Sequence, residues 1–231
     1  METLSQRIAG HARLTPDAPA VLCGDQVITY AQLVARADAI AARLAGSVGP
    51  GDIVHVRMPR GAPLLLALVS VWRAGAAYVV SEITEVPGPS LPAALAQHVA
   101  AELSLGEDGQ ILIECRHRPA LDAAGQAMRA QLGPAAYLLL TSGTTGDRKA
   151  VAVTSGNIAH YCLGLLDRLG TSGPLTCGHV SSLEADLGNT SLFLAWWTGG
   201  AAALATDLER RDPEALARWV GAAGLSLLKL T

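Results

Sequence analysis

Thr141-Ser142-Gly143-Thr144-Thr145-Gly146-Asp147-Arg148-Lys149 leaves one apolar run, Ala135 to Leu140, and enters another at Ala150. Two short apolar runs joined by such a stretch predict a loop between two strands. Gly143 and Gly146 let the backbone turn and come close to a ligand. Thr141, Ser142, Thr144, Thr145 and Lys149 supply hydroxyls and one ammonium. This is the composition of a phosphate cradle. The Walker A spacing is absent, because Gly143 is followed by Gly146 and the lysine stands three residues further on. The plain alternative is a polar hairpin turn with a solvated Asp-Arg-Lys tip.

Composition narrows the classes of function. The 231 residues are enough for one large domain or two small lobes with a real core. Half of them are apolar and 16% charged, against roughly 25% charged in an average globular chain. The excess predicts either a surface that another chain segment covers or an unusually buried α/β core. A net charge of −3 without a basic stripe argues against nucleic acid and anionic membranes as partners. Cys23, Cys115, Cys162 and Cys177 show no C-x-x-C pair and no metal-ligand spacing to histidine, so they are expected to be buried free thiols. The opening Met-Glu-Thr-Leu-Ser-Gln-Arg lacks the order of a signal peptide, and the apolar run Leu64 to Trp72 is far shorter than a membrane helix. The expected compartment is the reducing cytoplasm.

Periodicity orders the rest. Leu4, Ile8 and Leu14 mark a first amphipathic helix; Ala20 to Cys23 and Gln26 to Thr29 read as strands about a Gly24-Asp25 turn. Thr29-Tyr30-Ala31-Gln32 has capping-box spacing, and Leu33, Ala37, Ile40 and Leu44 follow at helical intervals. Strands are expected over Ile53 to Met58, Ala76 to Val80, Gln110 to Glu114, Ala150 to Val153, Thr176 to Val180, Ala201 to Ala205 and Leu225 to Leu230. Helices are expected over Pro63 to Arg73, Pro92 to Leu103, Ser155 to Leu169, Asn189 to Trp197 and Pro213 to Ala222. Such alternation predicts an α/β fold of layered, mainly parallel sheets flanked by helices.

The run Tyr137 to Val153 resembles the signature loop of the adenylate-forming enzymes, which include acyl-CoA synthetases, luciferases and the adenylation domains of nonribosomal peptide synthetases. Ile28-Thr-Tyr-Ala-Gln-Leu33 is similar to the first core motif of adenylation domains, and Trp72-Arg-Ala-Gly-Ala-Ala-Tyr-Val-Val80 to the second. Departures stand at Val80-Ser81-Glu82, where the family usually has Pro, Ile or Leu, and Asp. Others are Arg148 for proline, Ala150 for glycine and Ser155 for histidine. The resemblance covers nearly the whole chain. It implies the N-terminal half of an adenylation domain, with sub-lobes about 1–118 and 119–231. On this resemblance the aromatic adenine-binding motif, ribose-binding aspartate, hinge and C-terminal lid domain with its catalytic lysine are expected to lie outside residues 1–231.

Glu184-Ala-Asp-Leu-Gly-Asn-Thr190 stands where a strand gives way to a helix. An acidic residue there serves as a cap on one reading. On the other, the resemblance implies that Asp186 pairs with the α-ammonium of an amino-acid substrate, with Leu187 and Thr190 lining the same pocket. The implied chemistry is attack of a carboxylate on the α-phosphorus of ATP with Mg2+. The loop, Thr141 through Gly146, and Lys149 would hold phosphates. Transfer to the phosphopantetheine thiol of a carrier protein would follow. His98, His160 and His179 have no acid or nucleophile partner in sequence, and no Gly-x-Ser-x-Gly elbow surrounds Ser142. Two alternatives stand beside this reading: a degenerate or split adenylation-like module for binding or assembly, and an unrelated phosphate-binding α/β enzyme.

Overall fold

The computed structural model describes residues 1–84, 91–116, 123–141 and 148–230. In chain order its elements are α1 (Leu4–Leu14), β1 (Pro19–Cys23), β2 (Gln26–Thr29), α2 (Tyr30–Leu44), β3 (Ile53–Met58), α3 (Ala62–Arg73) and β4 (Ala77–Glu82). There follow α4 (Ala93–Ala96), β5 (Val99–Leu105), β6 (Ile111–Cys115), α5 (Ala123–Leu132), β7 (Ala135–Thr141), β8 (Lys149–Thr154) and α6 (Ser155–Leu169). The last elements are β9 (Cys177–His179), α7 (Asp186–Thr198), β10 (Ala202–Leu204), α8 (Asp207–Arg211), α9 (Pro213–Ala222) and β11 (Leu227–Leu228).

Two compact units emerge, one of residues 1–35, 60–65 and 156–231, the other of 36–59 and 66–155. Both draw on either side of the division expected near residue 118, a position itself outside the described residues. The physical reason is parallel pairing, which joins strands distant in sequence: β1 pairs with β10, Val21 opposite Ala202.

The first unit holds a five-stranded sheet in the order β11-β9-β10-β1-β2, parallel except at the β1–β2 hairpin. Its central helix is α7, buried from Gly188 to Trp197. The apolar run Leu192 to Trp197 has no polar face to offer solvent, and such a helix is stable only when surrounded. The Trp196 indole N–H reaches the Ala20 carbonyl at 3.0 Å, and the Tyr30 hydroxyl donates to the Gly200 carbonyl at 2.7 Å. The capping box at the start of α2 forms, with the Gln32 N–H on Thr29 Oγ1 and the Thr29 N–H on Gln32 Oε1.

The second unit holds a six-stranded sheet in the order β6-β5-β3-β4-β7-β8, parallel at its centre and closed at each edge by an antiparallel strand. Ile53, Val79, Val99 and Leu138 of the strands pack with Leu95 and Leu132 of the helices. The helix expected over Pro92 to Leu103 is replaced by the short α4 and by β5, whose Val99 to Leu103 pair with β3. Alanine-rich sequence leaves that choice to the neighbouring strand. Helices α5 and α8 have no counterpart among the expected elements. Of the cysteines, Cys162 and Cys177 are buried, with thiols pushed up to about 12 by desolvation, while Cys23 is half-buried and Cys115 exposed. Among the described residues no helix is long and apolar enough to cross a membrane.

Gly51 shows where backbone conformation is indispensable. Its φ is +81°, and an added Cβ would run into the carbonyl oxygen of Arg129. The same turn buries Asp52, which accepts from the Gly49 N–H at 2.9 Å and from the Arg129 guanidinium at 3.2 Å. Gly51→Ala is expected to destabilise by about 3 kcal/mol, through left-handed strain and displacement of the Arg129 backbone. A urea-midpoint shift under about 0.5 kcal/mol equivalent would contradict this close packing.

Candidate functional site

The hairpin β7–β8 carries the base of the glycine-rich loop. Its register places Leu140 opposite Ala150 and Thr141 opposite Lys149, the last pair before residues 142–147. Directly opposed residues of an antiparallel pair project to one face. The Thr141 hydroxyl and the Lys149 side chain are both exposed there, and Thr141 Oγ1 lies 3.4 Å from the Lys149 carbonyl oxygen. Ser142, Gly143, Thr144, Thr145 and Gly146 lie outside the described residues. The hairpin is anchored inward by Tyr137, which stacks on Tyr78 of β4 with centroids 5.6 Å apart. Beside it the Trp72 indole N–H donates to the Ala136 carbonyl at 2.9 Å. The motif Trp72 to Val80 thus supports the strand that presents the loop.

The second group sits on α7, in the other unit. Ala185 is the N-cap, so Asp186 occupies the first turn, exposed. Leu187 beside it is 39% exposed. Thr190, one turn on from Asp186, is buried, and its hydroxyl oxygen accepts from Lys229 Nζ at 2.9 Å and meets the Tyr161 hydroxyl at 2.8 Å. Helical spacing puts Asp186 and Thr190 on one face.

His179, at the end of β9, packs beneath the same turn. A Cβ on Gly188 would come within 2.6 Å of its Cε1. Nδ1 lies 3.3 Å from Ser191 Oγ. Nε2 has no partner of good geometry, although the carbonyls of Gly188 and Ser181 favour the protonated ring weakly. Desolvation dominates and, with the Arg60 charge, pulls the pKa down to about 3. The imidazole is neutral at physiological pH and is a packing group of α7.

The sequence matches the family model of the AMP-binding enzymes over residues 8–101 and 81–231. The chain belongs to the AMP-binding enzyme family. It is 33% identical over 234 residues to phenyloxazoline synthase MbtB of Mycolicibacterium paratuberculosis, covering 95% of this chain and 20% of that protein. It is 33% identical over 234 residues to pyochelin synthetase PchE of Pseudomonas aeruginosa, covering 97% of this chain and 16% of that protein. The chain therefore spans a fifth or less of these relatives' lengths. Among solved structures, the Klebsiella oxytoca NpsA N-terminal subdomain, in complex with 3-hydroxyanthranilyl-AMSN, matches with a TM-score of 0.74 at 21% identity. That match covers 100% of this chain and 60% of that one, and shows likeness of fold. The nonribosomal peptide synthetase FmoA3 matches with a TM-score of 0.74 at 25% identity, over 95% of this chain and 24% of that one. The chain is similar to the N-terminal part of a nonribosomal peptide synthetase adenylation domain.

In this chain the structure brings Thr141 and Lys149 together in one unit and Asp186, Leu187 and Thr190 together in the other. Tyr161 and Lys229, the partners of Thr190, are absent from the residues that sequence reasoning proposes for the site. Lys229 has a signal in sequence: it is a lone cation inside the apolar run Leu227-Leu228-Lys229-Leu230.

The depressed pKa of His179 makes stability depend on pH. Above about pH 6.5 the ring is neutral folded and unfolded; between 6.5 and about 3 only the unfolded chain binds the proton, so stability falls as pH falls. The loss at pH 4.5 is expected to be a few kcal/mol, on the order of 1.4 kcal/mol per pH unit. His11 and His55, also lowered by desolvation, act in the same direction. His179→Gln should therefore reduce, without abolishing, the slope of urea-unfolding free energy between pH 6.5 and 4.5. An unchanged slope would mean that the buried ring protonates freely.

Proposed function

We propose that this chain is the N-terminal part of an ATP-dependent enzyme that activates the carboxylate of an amino acid as an acyl-adenylate. The acyl group then passes to the phosphopantetheine thiol of a carrier protein: the thioester bond forms as the bond to AMP breaks, and AMP and the thiol proton are released. The supporting observation is the closing pair of the β7–β8 hairpin, with exposed Thr141 and Lys149 side by side at the neck of residues 142–147. A hydroxyl and an ammonium on one face, next to a loop rich in glycine and hydroxyls, suit the β- and γ-phosphates. Lys149 on a paired strand is better positioned than a lysine within a free loop.

In this scheme a carboxylate oxygen bonds to the α-phosphorus as the bond to pyrophosphate breaks. The protein's contribution is alignment and charge compensation. Lys149 offsets the negative charge on departing pyrophosphate. Asp186, in the first turn of α7 where the helix dipole favours an anion, pairs with the substrate ammonium. Leu187 offers apolar contact. Thr190, held by Tyr161 and Lys229, gives the site a polar, cationic boundary that suits a substrate side chain with hydrogen-bond acceptors. Magnesium bound with ATP would screen its phosphates. Among the described residues no cluster of three or more His, Cys, Asp or Glu side chains is arranged for a metal, and no step here runs through it.

The test uses the full-length protein in amino-acid-dependent ATP–pyrophosphate exchange. Lys149→Ala is expected to weaken ATP binding in calorimetry and to lower exchange about 100-fold. Asp186→Ala should impair an amino acid at least tenfold more than its des-amino analogue, a difference of about 1.4 kcal/mol. Equal ATP affinity in wild type and Lys149→Ala would remove the phosphate role of the hairpin. A degenerate module is the second reading, favoured by Arg148, Ala150 and Ser155 at positions where the family usually differs. ATP binding without any exchange would identify it.

A further inference from the structure

Arg60 follows β3 and belongs to the unit that carries α7. Its Nε donates to the Ala205 carbonyl at 2.6 Å, Nη1 to the Ser181 carbonyl at 2.9 Å and Nη2 to the His179 carbonyl at 2.6 Å. All three acceptors lie where β9 and β10 end and the carbonyls leave the sheet ladder. The same His179 carbonyl also accepts from the Ala205 N–H at 3.1 Å, so the guanidinium joins the last rung of the ladder. A planar fork with three charge-assisted bonds fixes three backbone positions at once.

Only residues 182–185 separate Ser181 from Asp186. That segment is a tight turn, with the Ala185 N–H on the Ser182 carbonyl and the Glu184 N–H on Ser182 Oγ. On the far side of the turn, α7 rests on the residues that Arg60 holds. A Cβ at Gly188 would stand 2.6 Å from His179 Cε1 and 3.2 Å from Ser181 Cβ. The path from Arg60 to Asp186 is therefore short: guanidinium, the backbone of His179 and Ser181, one turn, and the first turn of α7.

We propose that Arg60 is a positioning residue that sets the place of the Asp186 carboxylate without touching substrate. This rests on the reading of Asp186 as the partner of the substrate ammonium. Arg60 lies outside the three stretches that carry the family resemblance, and its donors point at main-chain oxygens. Lysine keeps the charge but loses the fork, so it can satisfy the three divergent acceptors only in part.

The experiment uses the full-length protein with Arg60→Met, Arg60→Lys, Asp186→Ala and the Arg60→Met/Asp186→Ala double variant. Arg60→Met should raise KM for the amino acid about tenfold, as expected of a displaced positioning group. KM for ATP should change little, and preference for the amino acid over its des-amino analogue should fall. Arg60→Lys should lie between it and wild type. In the Asp186→Ala background the Arg60 substitution should no longer change that preference, because its effect runs through the missing carboxylate. Independently of catalysis, amide hydrogen exchange over residues 180–190 should quicken in Arg60→Met. A scaffold role alone would lower the melting temperature and kcat while leaving preference and the KM values intact; that result overturns the proposal. Should Asp186→Ala leave preference unchanged, the functional reading fails, and exchange decides: faster exchange confined to 180–190 upholds the positioning, and unaltered exchange overturns it.

Discussion

The constraint on which the Asp186 group depends is the burial of α7 from Gly188 to Trp197. A helix with Leu192, Phe193, Leu194, Trp196 and Trp197 in succession has no face for water, so the sheet and neighbouring helices must enclose it. Enclosure removes its freedom to slide. The Trp196 N–H reaches the Ala20 carbonyl in β1, and Thr198 at the other end donates to the Leu194 carbonyl and accepts from the Leu175 N–H. The exposed first turn, with Asp186 and Leu187, is then the end of a rigid rod. A short polar segment can be aimed reproducibly only if something apolar behind it is fixed.

Thr141 and Lys149 meet the same requirement by different means. Strand β8 is an edge strand, exposed over Lys149 to Ala152, and contributes little to any core. Its position comes from the ladder with β7, and that of β7 from Tyr137 on Tyr78 and the Trp72 bond to Ala136. Pairing with β4, aromatic stacking, a half-buried hydrogen bond and the core side chains Ala135 and Leu138 thus hold a strand whose outer partner is otherwise almost wholly exposed. The polar ends of both arrangements project from elements whose apolar parts carry the stability.

Much of this was legible because it is local. The capping box at Thr29 and Gln32, the apolar runs around the glycine-rich loop and the helix from Ser155 to Leu169 each announce themselves within a few residues, and the structure places them there. What was not legible is non-local. The stretch from Val99 to Leu103 has enough alanine to be a helix, and becomes β5 because β3 offers it a parallel partner. The interleaving of the two units follows from strand pairs more than a hundred residues apart, such as Val21 with Ala202. Lys229 and Tyr161 meet only through Thr190, a contact that no spacing in the chain reveals.

The departures from the family loop bear on whether this chain is a degenerate module. Ala150 pairs with Leu140 in an unbroken antiparallel ladder and its side chain is exposed, so a residue with a Cβ stands there without strain. Ser155 opens α6, and its N–H is bonded to the Pro134 carbonyl at 3.1 Å. Neither replacement disturbs the backbone that carries Thr141 and Lys149. The substitutions at Ala150 and Ser155 therefore leave Thr141 and Lys149 exposed on a paired strand, and neither gives a structural ground for reading the chain as degenerate.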